Sequence, residues 1–134
     1  MNRLIEFRGQ VIDTKDWVYG YYFTYIDTEK SDTYIGNPTF DVEPNLVIPE
    51  TVGQYTGLRD SKGIKIFEGD IVCVPCNDFI KEGNHVVYFY KDSFVTSSVL
   101  FTNKETANKN SLSWTIERGA EVIGNIHSNP ELIK

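Results

Sequence analysis

The chain has 134 residues, with 13 Lys and Arg against 19 Asp and Glu for a net charge of −6, and its apolar 40% includes 2 Trp, 8 Tyr and 8 Phe. That length fits one domain with a core of its own, and the aromatic content excludes a disordered, solvating tail. The negative total argues against sequence-independent binding of nucleic acid or anionic membrane, which needs a field of Lys and Arg.

A period of two dominates from the start. Ile5, Phe7, Gly9 and Val11 alternate with Glu6, Arg8 and Gln10, which predicts a half-buried strand with Gly9 marking a bulge. These charges keep the N-terminus from reading as a signal peptide, and no run approaches about eighteen apolar residues, so no membrane span is expected. After a turn at Asp13-Thr14-Lys15-Asp16, residues 17–26 set Trp17, Tyr19, Tyr21, Phe23 and Tyr25 on one face and Val18, Gly20, Tyr22, Thr24 and Ile26 on the other. This is a hairpin strand, apolar on both sides.

A polar tract over 27–32 and the Asn37-Pro38 step make the next turns, leaving short strands at 33–35 and 39–42. Pro38, Pro44 and Pro49 cannot donate to a ladder and confine this region to edges and loops. Residues 47–58 read as an extended connection with one β segment. Asp60-Ser61-Lys62-Gly63 then joins 55–58 to 64–67 in a hairpin. Glu68-Gly69-Asp70 turns tightly into the apolar strand 71–74, and 75–84 is a loop. Cys73 and Cys76, three apart, have poor geometry for a disulfide, and without a leader they point to a reducing cytoplasm.

Further strands are predicted at 85–90, 93–101, 112–116 and 121–126, separated by a Lys91-Asp92 turn, a polar loop at 102–110 and a turn at Glu117-Arg118-Gly119. Asn129 as an N-cap and Pro130 at the first helical position predict one closing helical turn. The fold class is all-β: an SH3-like small barrel in the C-terminal half with an N-terminal antiparallel β extension. Residues 1–134 form a single domain that divides, if anywhere, into 1–56 and 57–134.

Val52-Gly53-Gln54-Tyr55-Thr56-Gly57-Leu58, with Asp60, Gly63 and Ile66-Phe67-Glu68-Gly69-Asp70-Ile71-Val72, resembles the signature block of the YopX family. Glu121-Val122-Ile123-Gly124-Asn125-Ile126-His127-Ser128-Asn129-Pro130-Glu131-Leu132 is similar to that family's C-terminal block, and Phe7-Arg8-Gly9 with Trp17-Val18-Tyr19-Gly20 to its N-terminal segment. The resemblance implies a small, mostly β protein encoded by phages and prophages, chiefly of Gram-positive bacteria, that acts in the host cytoplasm. It carries no established activity, so no residue inherits a catalytic role. Cys73, Cys76 and residues 77–84 fall just outside the signature.

Four groups of residues carry candidate chemistry. Cys73 and Cys76 have the spacing of half a zinc site that His85 and His127 would have to complete. No second Cys pair or close His pair exists, so no metal and no cofactor are expected. Asp60, Glu68, Asp70 and Glu121 are candidates for acid–base work, but Asp60 and Asp70 sit in turns where Asp accepts backbone N–H groups, and an enzyme is not expected. Gln54, Tyr55 and Thr56, between two glycines, offer hydrogen bonds either to a partner or to a crossing strand, the latter being favoured. The Trp17 to Tyr25 stripe packs on the barrel, on a subunit or on a ligand. Residues 17–29 contain no Lys or Arg, which disfavours base stacking.

The binding candidates are therefore Gln54, Tyr55, Thr56, Trp17, Tyr21 and Phe23. The expected function is that of a non-enzymatic accessory protein, cytoplasmic, binding a host or phage protein or itself. A strand apolar on both faces at a sheet margin favours a homo-oligomer. The alternative is a nucleic-acid-binding module of a phage operon, using Lys62 and Lys65 beside barrel aromatics.

Overall fold

The structure is a computed structural model and describes residues 4–36, 42–74, 83–99, 103 and 105–133. The expected Asn37-Pro38 turn, strand residues 39–41, Cys76 and most of the 75–84 loop lie outside the described residues, as do positions 100–102. Two compact units divide the chain, Met1–Tyr55 and Thr56–Lys134.

In the first unit the expected alternation becomes β1 (Phe7–Gln10), β2 (Trp17–Ile26), β3 (Ser31–Gly36) and β4 (Asn45–Val47). A 3-10 turn at Pro49–Thr51 leads into β5 (Gly53–Arg59), which runs across the division between the units. The ladder is antiparallel in the order β4-β3-β2-β1-β5. Ile35 and Val47 are fully buried beneath it, each worth about 1.5–3 kcal/mol relative to exposure. An isolated bridge joins Val11 to Val47, and Thr51 ties in by accepting from the Gln10 N–H at 2.9 Å. Gly9 does not mark a bulge. It lies in register opposite Val18, and a Cβ there would come within 3.3 Å of Val47 and 3.4 Å of Ile35, so those side chains would have to shift by a few tenths of an ångström to admit one.

The second unit contains the hairpin of β5 with β6 (Lys65–Phe67), then β7 (Asp70–Cys73), β8 (Asn84–Tyr90), β9 (Ser93–Ser98), β10 (Asn110–Ser111), α1 (Leu112–Glu117) and β11 (Glu121–Asn125). Its antiparallel sheet has the order β10-β9-β8-β7-β11. Ile66, Val72, Val87, Leu112 and Ala120 form the core, with Val74, Phe94, Ile116 and Val122 packed around it.

The all-β class holds, with one short helix, but the SH3-like closed barrel expected over 57–134 does not form among the described residues. β10 and β11 are the two free ends of the sheet. The physical reason is the segment 112–116, expected as a strand, which is helical. Ser111 caps it, its Oγ accepting from the Trp114 N–H at 3.2 Å. Leu112 and Thr115, one turn apart, are both buried, and the Thr115 hydroxyl lies 2.8 Å from that of Thr96. With that segment helical, β10 and β11 remain the outer strands of an open five-stranded sheet.

A 3-10 turn at Pro130–Ile133 follows β11. Asn129 precedes it as expected, but its Oδ1 turns back to accept from the Asn125 N–H at 3.1 Å. No helix among the described residues is long and apolar enough to cross a membrane.

Candidate functional site

β2 changes partner halfway along. Residues 17–20 pair with β1, ending at Gly20 opposite Phe7, and residues 21–26 pair with β3, from Tyr21 opposite Gly36 to Ile26 opposite Ser31. At the crossover the backbones come so close that a Cβ on Gly20 would sit 2.6 Å from the Gly36 carbonyl oxygen. Beside this pair of glycines lies an open groove of about 350 Å³, lined also by Tyr19, Tyr21, Ile35, Val42, Glu43 and Asn45. Buried Ile35 supplies an apolar lining group, while Tyr19 and Tyr21 are 54% and 50% exposed.

The Trp17 to Tyr25 stripe therefore divides. Trp17 is half-buried with the Arg8 guanidinium 4.5 Å from its ring centre. Phe23 is half-buried and stacks on Tyr34 at 5.6 Å. Tyr21 opens onto the groove with Tyr19, and further along the arm Tyr25 and Ile26 are 66% and 77% exposed. On the opposite face Tyr22 packs its ring 4.9 Å from Phe7.

Gln54, Tyr55 and Thr56 are woven into ladders. Gln54 sits opposite Phe7, Tyr55 is buried and donates its N–H to the Glu6 carbonyl at 2.7 Å, and the Thr56 hydroxyl donates to the Ile66 carbonyl at 2.8 Å. They lie on a different strand from Trp17, Tyr21 and Phe23.

The second unit holds the groups weighed for catalysis and metal binding. Asp60 is buried and accepts three backbone N–H groups, from Lys62 and Ile64 on Oδ1 and from Val122 on Oδ2, each at 2.9 Å. Burial pushes its carboxyl up, but these bonds and the Lys62 charge outweigh that and hold it below the ordinary carboxylate value. Buried Asp70 accepts from the Phe67 N–H at 2.8 Å. Lys62 forms an ion pair with Glu121 at 3.4 Å, and Lys65 is half-buried in β6. In the β7–β8 ladder Val72 faces His85 and Cys73 faces Asn84. No group of three His, Cys, Asp or Glu among the described residues could hold a metal ion.

Ile35, Val42, Glu43 and Asn45 escaped the sequence reading as site residues. No periodicity marks a groove whose lining comes from three separate stretches of the chain, 19–21, 35–36 and 42–45.

A profile of the family described as YopX protein matches residues 6–134. No curated protein matches significantly. Among solved structures, protein EF1440 from Enterococcus faecalis is similar in fold, with a TM-score of 0.56 at 22% identity over 98% of this chain and 99% of that one.

Proposed function

The chain belongs to the YopX family, and from that premise we propose that it is a non-enzymatic accessory protein of a phage or prophage that works in the host cytoplasm by gripping a protein partner. The groove at the β2 crossover carries the reading: exposed Tyr19 and Tyr21 on a strand without Lys or Arg, beside apolar Ile35 of β3 and the Glu43 carboxylate. Tyrosine offers a large, amphipathic contact area at small ordering cost, whereas a nucleic-acid backbone would find no cation on this strand.

The carboxylates of the second unit speak for structure over catalysis, since Asp60 and Asp70 spend their oxygens on backbone donors. The nucleic-acid alternative through Lys62 and Lys65 has weaker support, because Lys62 already meets Glu121.

The test is capture on immobilised protein from infected host lysate, with nuclease and at raised salt, beside the double variant Tyr19→Ser/Tyr21→Ser. A protein retained through both treatments and lost in the variant is the expected result. Retained nucleic acid that salt releases would replace this reading with the alternative.

A further inference from the structure

The hairpin of β2 and β3 turns one strand edge outward, and its own hydrogen bonds say which groups lie on that edge. The Asp27 N–H donates to the Lys30 carbonyl at 2.8 Å, so these two residues are a hydrogen-bonded pair. Such pairs alternate along an antiparallel ladder. Counting back in register, Tyr25 with Asp32, Phe23 with Tyr34 and Tyr21 with Gly36 are the pairs whose backbone groups face β3. The N–H and C=O groups of Tyr22, Thr24 and Ile26 therefore face away from it.

On that outer side β1 reaches only to Gly20, and no strand among the described residues pairs there with residues 21–26. The edge is bounded by β1 at one end and by the turn at 27–30 at the other. It has no Pro, Gly or charged residue, the devices by which proteins blunt an exposed edge.

We propose that this edge pairs antiparallel with the same edge of a second copy, about a two-fold axis through Thr24. The proposal rests on the reading of the arm as a docking element and names an occupant for it. In such a ladder the axis must relate one residue to itself, which leaves Phe23, Thr24 or Tyr25 at the centre. Centred on Tyr25, Tyr22 would fall opposite Thr28, in the turn beyond the strand. Centred on Phe23, Ile26 would fall opposite Gly20, whose edge Phe7 already occupies. Centred on Thr24, Thr24 meets Thr24 and Tyr22 meets Ile26 in both directions, so every outward group finds a partner.

The same register sets Phe23 against Tyr25 in the narrow pairs, where side chains approach most closely, and it covers Tyr25 and Ile26, the most exposed of the arm's aromatic and aliphatic side chains. Each copy carries a charge of −6, so two copies meet with least repulsion along an uncharged strand. Because one partner consumes the whole bounded edge, assembly closes at two instead of growing into a filament.

The experiment is sedimentation of the full chain at micromolar concentration, with the urea midpoint reporting the fold of each variant. The wild type should have twice the 15.3 kDa mass of one chain. Thr24→Lys and Thr24→Glu each place like charges face to face and should raise the dimer dissociation constant at least about tenfold, while an equimolar mixture of the two should recover the doubled mass. A monomeric wild type, a dimer indifferent to Thr24→Lys, or a mixture that stays monomeric although both variants are folded would each overturn the proposal. Tyr19→Ser/Tyr21→Ser separates the two readings: loss of a captured partner with the mass still doubled assigns the groove to the partner and the edge to the second copy. A monomeric wild type that still captures its partner sinks the edge alone.

Discussion

Asp60 joins two stretches of backbone, its own turn and the strand at Val122, through one carboxylate, and the charge on that carboxylate ties the second unit to pH. Its folded pKa lies below the ordinary 3.8, so its contribution is complete above that value and is lost as pH falls through the lower folded one. Asp60→Asn keeps one accepting oxygen and turns an N–H donor toward backbone N–H groups. It should cost about 1–3 kcal/mol at neutral pH, with the gap to wild type narrowing below about pH 4. Urea midpoints at several pH values measure both effects, and an unchanged neutral midpoint would count against the bond network. That Asp60 accepts from its own turn was legible in the spacing of Asp60-Ser61-Lys62-Gly63. Its reach to Val122 was not, because a local turn pattern says nothing about which distant strand passes beside it.

Elements were legible where many residues repeated one signal. The alternation over 17–26 coincides with β2 from end to end. The segment 112–116 misled because Leu112, Trp114 and Ile116 alternate as in a strand, and α1, at six residues, is too short to display a period of 3.6. Cap and burial decided it: Ser111 at the start, Leu112 and Thr115 inward. The junction between β6 and β7 depends on one residue. Gly69 has φ 87°, its N–H donates to the Val87 carbonyl at 2.8 Å and its carbonyl accepts from Ile126 at 2.9 Å. A Cβ would meet nothing closer than 3.7 Å, so the backbone, not space, excludes a side chain. Gly69→Val should therefore destabilise by about 1–3 kcal/mol, read as a lowered urea midpoint; an unshifted midpoint would show that the turn relaxes.

For the whole molecule, charge sets the sign of any salt effect. Raising ionic strength from roughly 0.01 to 1 M shortens the screening length from about 30 to about 3 Å. Two copies at −6 then repel less, and self-association through β2 should tighten, measured by sedimentation across the series. Association that weakens with salt would point to ionic contacts instead. The open sheet was the least legible feature, since closure depends on which strands meet in space, and a run of short strands does not say whether its first and last will pair. Of the site, Tyr21 was visible as part of an aromatic stripe, whereas Glu43 and Asn45 reach the groove from the stretch at the start of β4, which no pattern in the sequence tied to β2.

The second unit also has an order of assembly written into it. β11 covers the outer side of β7, Val122 gives Asp60 its far donor, and the Ala120 carbonyl receives the Ser61 N–H at 3.3 Å. All of these are translated after every other strand of the unit. On the ribosome, β5, β6 and β7 must wait with that edge open and that turn half-anchored until residues 120–125 emerge, so β11 works as a latch on the strands made before it.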